Sequence, residues 1–380
     1  MFGLFETGFS QLTWAHVVML LIGGALVYAG IARRWEPLLL VPIGFTIVLV
    51  NLPLSGLMEA GGDLLSGGTP LGLIARIFHY GIQWEIIPPL IFLGLGAMTD
   101  FGPLIANPKT LLLGAAAQVG VFLVFTAALL LPWFDFGIKE ACSIGIIGGA
   151  DGPTTIYLTN KLAPELLGAT AVSAYTYMAM VPLIQPPVIR LITSKRERAI
   201  YMKPQLREVA KLEKLLFPFI VAIAVILIVP KSAALIGCFM FGNLLQVSGV
   251  TDRLSRTASE AFMDILTIFL GLSIGGIMTA ERFLVPRTLA IFALGLVAFA
   301  GATAFGVLAG KLLNRISKEP INPMIGAAGV SAVPMSARVV QRMGQEANPR
   351  NFLLMHAMGP NIAGVIGTAT VAGVFLGMVG

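Results

Sequence analysis

The chain has 380 residues, of which 57% are hydrophobic and only 12% charged, at a mean hydropathy of +0.88. A soluble domain carries about a quarter charged residues, so a water-facing globular surface is excluded and a membrane protein is required. The net charge of +6 does not point to nucleic acid, because many of the cations gather between residues 190 and 214.

The first apolar run, about 14–32, ends at Arg33, Arg34 and Trp35 rather than at a small-residue cleavage site, and predicts a membrane helix. A second run spans about 37–52. Residues 53–84 are more polar, with Glu59, Asp63, Arg76 and His79, and predict an extramembrane loop with a short amphipathic helix. Runs at about 85–99 and 110–132 follow.

The run 142–158 is broken by Gly145, Gly148, Gly149, Gly152 and Pro153, and at its centre stands Asp151. A carboxylate in a bilayer costs at least about 2.5–3.5 kcal/mol, so it should face a cavity, a cation or a proton path. Unwound carbonyls with the Thr154 and Thr155 hydroxyls would form an oxygen-rich nest for a hard cation such as Na⁺. The competing reading is that Asp151 caps the second half of the broken helix, since Asp-Gly-Pro is a strong cap and turn signal. Both roles can coexist.

The run 168–190 carries Tyr175 and Tyr177 before Pro182, Gln185, Pro186 and Pro187. A phenol there can donate a hydrogen bond or a proton within the bundle, the alternative for Tyr177 being an interface-belt aromatic. Next comes the basic stretch, with Arg190, Lys195, Arg196, Arg198, Lys203, Arg207, Lys211 and Lys214. The positive-inside bias places it in the cytoplasm, against anionic lipid or a cytoplasmic partner.

Runs at about 215–230, 232–248, 262–280 and 288–311 lead to a second broken segment, 321–337. It contains Asn322, Pro323, Gly326, Gly329, Ser331 and Pro334. Asn322 and Ser331 are neutral oxygen donors, and Ser331 can also pass a proton. A small residue at a close helix crossing is the other reading of Ser331. Arg338, with Arg342 a turn on, suits a carboxylate ligand by bidentate pairing, or serves only as an inside-facing topological charge. In the last run, 351–378, His356 reads as a hydrogen-bonded interior residue, and Asn361 as a buried amide in need of partners.

The two halves repeat each other. Ile91-Phe-Leu-Gly-Leu95 recurs as Ile268-Phe-Leu-Gly-Leu272. Pro108 and Pro286, Ile147 and Ile325, and Ala179 and Ala357 open matching strings, each pair 178 residues apart. Several matches at one offset imply duplication. With residues 190–214 inside, the positive charges at 33–34, 249–261 and 311–320 also fall inside, provided each broken segment dips in and returns. The expected fold is therefore an all-α polytopic membrane protein of two inverted repeats, with about ten spanning helices and a site at the repeat interface. The first half is 1–190, the basic linker 191–214 and the second half 215–380, with both termini on the outer side of the cell inner membrane. No Walker A string, dinucleotide fingerprint or zinc-spaced cluster accompanies them. These features alone fit a stand-alone Na⁺-coupled secondary transporter or a Na⁺/H⁺ antiporter.

The strings themselves are more specific. Gly145-Ile-Ile-Gly-Gly-Ala-Asp-Gly-Pro-Thr154, Val181-Pro-Leu-Ile-Gln-Pro-Pro187, Gly329-Val-Ser-Ala-Val-Pro-Met335 and Asn351-Phe-Leu-Leu-Met-His-Ala-Met-Gly-Pro-Asn361 resemble the β subunit of the sodium-translocating biotin-dependent decarboxylases. That family includes oxaloacetate, methylmalonyl-CoA and glutaconyl-CoA decarboxylases. The resemblance spans nearly the whole chain. It implies a membrane subunit that decarboxylates carboxybiotin, consumes a proton and exports Na⁺. It further implies a biotin carrier, a carboxyltransferase α subunit and a small single-span γ-like subunit as partners, and a trimer of this chain. The family's functional positions fall on Asp151, Tyr177, Asn322, Gly326, Ser331, Arg338 and Asn361. Asp151 and Ser331 would be Na⁺ and proton sites, Asn322, Gly326 and Asn361 would join in holding Na⁺, and Arg338 and Asn361 would hold carboxybiotin. The short loop at 53–84 resembles the acyl-CoA members more than the oxaloacetate ones, whose loop is much longer.

Overall fold

The computed structural model describes residues 7–59, 71–130, 135–203 and 207–380. Every regular element among the described residues is helical. That is the economical solution in lipid, where each segment must satisfy its own backbone.

In chain order the helices are α1 (Trp14–Ala32), α2 (Pro37–Val50), α3 (Leu73–Phe78), α4 (Ile87–Met98), α5 (Gly102–Ala106), α6 (Leu111–Ala117), α7 (Val119–Leu130), α8 (Ile138–Gly145), α9 (Gly152–Leu162) and α10 (Leu167–Ala179). They continue with α11 (Val181–Ile192), α12 (Lys195–Arg198), α13 (Lys211–Ile228), α14 (Ala233–Val247), α15 (Asp252–Ser259), α16 (Ala261–Gly276), α17 (Ala280–Phe283), α18 (Pro286–Ile316), α19 (Met335–Ala347) and α20 (Leu354–Val379). Two 3₁₀ turns, Ile146–Gly149 and Pro323–Gly329, occupy the two broken segments.

By length and composition, five of the described helical stretches can cross a membrane, or seven if each of two bent pairs counts as one span. One bent pair, Leu73–Gln83 with Ile87–Met98, turns by 67°. Part of the expected 53–84 loop is therefore helical, while its residues 60–70 lie outside the described ones. The other pair is α10 and α11, bent by 69°. The sequence predicted one run over 168–190. The chain instead turns at Met180, and Pro182 opens α11, because proline is tolerated in a first turn where no N–H is needed. Tyr177 and Gln185, expected on one helix, thus stand on two.

Each half begins at the periphery. α1 exposes Val18, Leu21, Tyr28 and Ile31, and α13 exposes Phe219, Ile220, Ile223 and Leu227, as lipid-facing helices do. The next helices cross over: α2 packs on α16 of the second half, and α14 packs on α4 of the first. The crossing of α4 and α14 is close enough that a side chain at Gly96 would strike the Phe239 carbonyl and one at Gly242 the Leu93 carbonyl. α18 lies against α6 and α7, and α20 against α6. α20 is the most enclosed of the long helices, with 67% of its apolar window buried against 17% for α1. Both 3₁₀ turns pack on α18 and α20, so the two breaks share one centre.

The ion pairs among the described residues fall into two separate groups. One joins Arg190 to Glu346, Arg207 to Glu213, Lys214 to Asp100 and Lys311 to Glu197. The other joins Lys161 to Glu85 and Arg287 to Glu140.

Candidate functional site

The first break forms because the glycines between 145 and 149 tighten α8 into a 3₁₀ turn, after which Ala150 takes the left-handed conformation at φ 52°. A non-glycine residue adopts that conformation only where its surroundings enforce it. The turn aims Asp151 at the N-terminus of α9. Its Oδ1 accepts the Thr154 N–H at 2.9 Å, and the Thr155 hydroxyl donates to the Asp151 carbonyl at 2.7 Å. The capping role is therefore real, yet it uses only one carboxylate oxygen. Asp151 is 4% exposed, and Oδ2 is buried without a hydrogen-bond partner among the described residues. The Thr154 hydroxyl, the Tyr175 phenol and the Asn361 Oδ1 are also buried without partners. Buried polar atoms are nearly always hydrogen-bonded, so orphaned oxygens on the elements that meet at the breaks mark a place built for something else. A cation that takes only oxygen ligands fits that donor set.

Ser331 joins the second break to the first. Its backbone N–H donates to the Gly149 carbonyl at 2.8 Å, and its hydroxyl shares a 2.7 Å hydrogen bond with the Thr368 hydroxyl. Thr368 lies 3.3 Å from the Gln118 Oε1, at the turn between α6 and α7. Asn361 donates through Nδ2 to the Val330 carbonyl at 2.7 Å, which leaves Oδ1 free. The structure thus gathers Asp151, Ser331 and Asn361 about the junction of the breaks. It adds Gln118 and Thr368, which sequence reasoning missed. Gln118 was legible as a lone amide in the run 110–132. Thr368 was not, since a threonine in a membrane helix ordinarily bonds back to its own turn, as Thr368 also does to Gly364.

The other expected residues stand apart. Asn322 is fully buried and caps the turn Pro323–Gly329 by accepting the Met324 N–H at 3.1 Å. Its Nδ2 donates to the carbonyls of Arg198 and Ile200 at 2.8 and 2.9 Å. With Asn348, Asn351 and His356 it straps residues 198–203 of the basic stretch to the second half. His356 is thus a hydrogen-bonded interior residue, donating from Nε2 to the Lys203 carbonyl at 2.8 Å. Gly326 meets Gly306 of α18 backbone to backbone. The Tyr177 hydroxyl donates to the Phe292 carbonyl of α18, so Tyr177 is a buried residue rather than a belt aromatic. Arg338 is exposed on the first turn of α19 and forms no ion pair among the described residues. It lies within electrostatic reach of Glu36 in the turn between α1 and α2, where burial pushes the Glu36 carboxyl above its usual range and Arg338 pulls it back.

The protein-family comparison matches residues 15–379 to the Na⁺-transporting oxaloacetate decarboxylase beta subunit. Among curated proteins, the glutaconyl-CoA decarboxylase subunit beta of Acidaminococcus fermentans is 56% identical over 375 residues, covering 99% of this chain and 96% of that protein. The methylmalonyl-CoA decarboxylase subunit beta of Propionigenium modestum is 54% identical over 389 residues, covering 99% and 98%. The oxaloacetate decarboxylase beta chain of Klebsiella pneumoniae is 49% identical over 417 residues, covering 97% and 96%. An apolar helical bundle, a buried carboxylate at the junction of two broken segments, and near-complete alignments agree: this chain belongs to the family of Na⁺-transporting decarboxylase β subunits.

Proposed function

We propose that this membrane subunit of a decarboxylase Na⁺ pump carries Na⁺ at the junction of its two breaks. The observation that carries the reading is the orphaned Asp151 Oδ2, beside the unpartnered Thr154 hydroxyl and on the same junction as Asn361 Oδ1. Ser331 extends the oxygen set across the second break, while Asn322 and Gly326 hold that break in place. Na⁺ is the cargo. A carboxylate that binds Na⁺ must release it when protonated, so Asp151, with Ser331 hydrogen-bonded alongside Thr368, can exchange the ion for the proton that decarboxylation consumes.

Carboxybiotin, brought by a carrier subunit or domain, supplies the carboxyl whose loss as CO₂ drives the cycle. Arg338 suits that carboxylate, since its guanidinium is exposed, forms no ion pair among the described residues and offers two parallel N–H donors. Asn361 holds the Val330 carbonyl and sets the backbone of the second break. Tyr177 locks α10 to α18 and so fixes the helix that faces the site. The basic face between 190 and 214 is the natural dock for the carrier and for the carboxyltransferase α subunit, while a γ-like single-span subunit and a trimer of this chain complete the assembly. The alignment with the oxaloacetate-type relative runs to 417 columns against a chain of 380, so this chain lacks residues that relative has. That length difference favours an acyl-CoA donor, recognised by another subunit.

The halves 1–190 and 215–380 are read as inverted repeats joined by the linker 191–214, with about ten spans and both termini outside. Reciprocal crossing of α2 and α14 supports this, as does the gathering of residues 100, 190, 197, 207, 214, 311 and 346 into one group of ion pairs. Asp151→Asn, in the complete complex, is expected to insert normally and to weaken Na⁺ activation of decarboxylation and ²²Na⁺ binding by about 100-fold or more. Wild-type Na⁺ dependence would return Asp151 to a capping role alone.

A further inference from the structure

Two tyrosines two positions apart on α10 have opposite fates. The Tyr177 hydroxyl is consumed by the Phe292 carbonyl. The Tyr175 hydroxyl has no partner, although Tyr175 is only 2% exposed. Its ring packs against Gly152, where a Cβ would overlap two ring carbons and stand 2.7 Å from the phenol oxygen. Gly152 is bonded to Asp151, so the absence of a side chain at 152 lets the Tyr175 ring approach the backbone next to the residue that carries the orphaned Oδ2. Burying a phenol without a hydrogen bond costs about 1–3 kcal/mol, and nothing in the packing of α10 requires it. A phenylalanine would fill the same space.

We infer that Tyr175 is a cation-sensing partner of Asp151. Its oxygen is a neutral ligand to the bound Na⁺, and its O–H donates to Asp151 Oδ2 when the ion has left. A phenol is suited to both states because it has one donor and free lone pairs on the same atom. The carboxylate is then satisfied in either state, and the cost of emptying the site inside the bilayer falls. Gly152 follows from the same geometry: any larger residue would push the ring away from the carboxylate.

This inference rests on Asp151 as the Na⁺ ligand, and the test separates the two. In the complete complex in liposomes, Tyr175→Phe removes one oxygen and keeps the ring. The expected result is a half-saturating Na⁺ concentration raised about ten-fold or more, with a smaller change in the maximal rate at saturating Na⁺. A value within about two-fold of wild type, while Asp151→Asn loses Na⁺ dependence, overturns the role of Tyr175 and leaves that of Asp151 standing. Wild-type behaviour in both variants overturns the Na⁺ site itself. If Tyr175→Phe does not assemble, 3-fluorotyrosine placed at 175 keeps the phenol. Its ¹⁹F resonance is then expected to shift on adding Na⁺ and not K⁺, and an unmoved resonance overturns the inference.

Discussion

At the scale of single residues, the site is defined by how polar atoms are used. Asp151 gives one oxygen to a helix cap and keeps the other free, whereas Asn322 commits both ends of its amide. Asn322→Ala would leave the Arg198 carbonyl and the Met324 N–H without their partner and the Ile200 carbonyl with Asn351 alone. The expected cost is about 2–4 kcal/mol at a buried position, read as earlier thermal unfolding in detergent and faster trypsin cleavage at Arg198. The same variant distinguishes strap from ligand, since only a ligand role also changes the half-saturating Na⁺ concentration. Asp151 was legible in the sequence because a carboxylate among glycines in an apolar run is costly. The use of Asn322 was not, because its partners lie more than 120 residues away and are backbone carbonyls, which no side-chain pattern reveals.

At the scale of elements, the breaks are held by close backbone approach. Gly326 of the second break and Gly306 of α18 face each other so tightly that a Cβ on either would strike the other's carbonyl. Gly326→Ala cannot relax by turning a side chain, since the colliding atoms are backbone. It is expected to destabilise the fold by about 3 kcal/mol or more and to lower the yield of folded protein in size-exclusion chromatography. Normal yield and Na⁺ activation in that variant would show that the turn can shift. Helix positions were mostly legible: 14–32 and 232–248 were read from apolarity alone and fall on α1 and α14 within a residue. Proline was less informative. Pro182 opens α11, yet Pro186 and Pro187 lie inside it and Pro360 lies inside the unbroken α20. A proline removes one N–H and fixes one φ, and packing decides whether the helix bends. The charges Lys311 and Arg315 looked like a loop, but α18 carries them to Ile316, with Lys311 paired to Glu197 at 3.0 Å.

At the scale of the whole molecule, charge and packing both favour the proposed inverted orientation. The charge count places 190–214 inside and 281–287 outside. Ion pairs and hydrogen bonds then attach other loops to each. Lys214 pairs with Asp100 and Arg207 donates to the Ile105 carbonyl, so residues 100–109 lie with the basic stretch. Arg287 pairs with Glu140 and donates to the Asp135 carbonyl, so residues 135–140 lie with 281–287. Pro108-Lys-Thr-Leu111 and Pro286-Arg-Thr-Leu289 are the same point of the repeated unit, yet these contacts attach them to different groups. The proposed inversion accounts for equal sequence with opposite faces. With Cys142 and Cys238 replaced by serine, a cysteine at exposed Lys109 is expected to react with a membrane-impermeant maleimide only from the cytoplasmic side. One at exposed Arg282 should react only from the outer side. Labelling of both from one side would mean that the halves run parallel. Asp151 and Ser331 would then approach the same face, and a site between them would have no second exit. The proposed inversion would give a single shared junction two exits, which an ion pump requires.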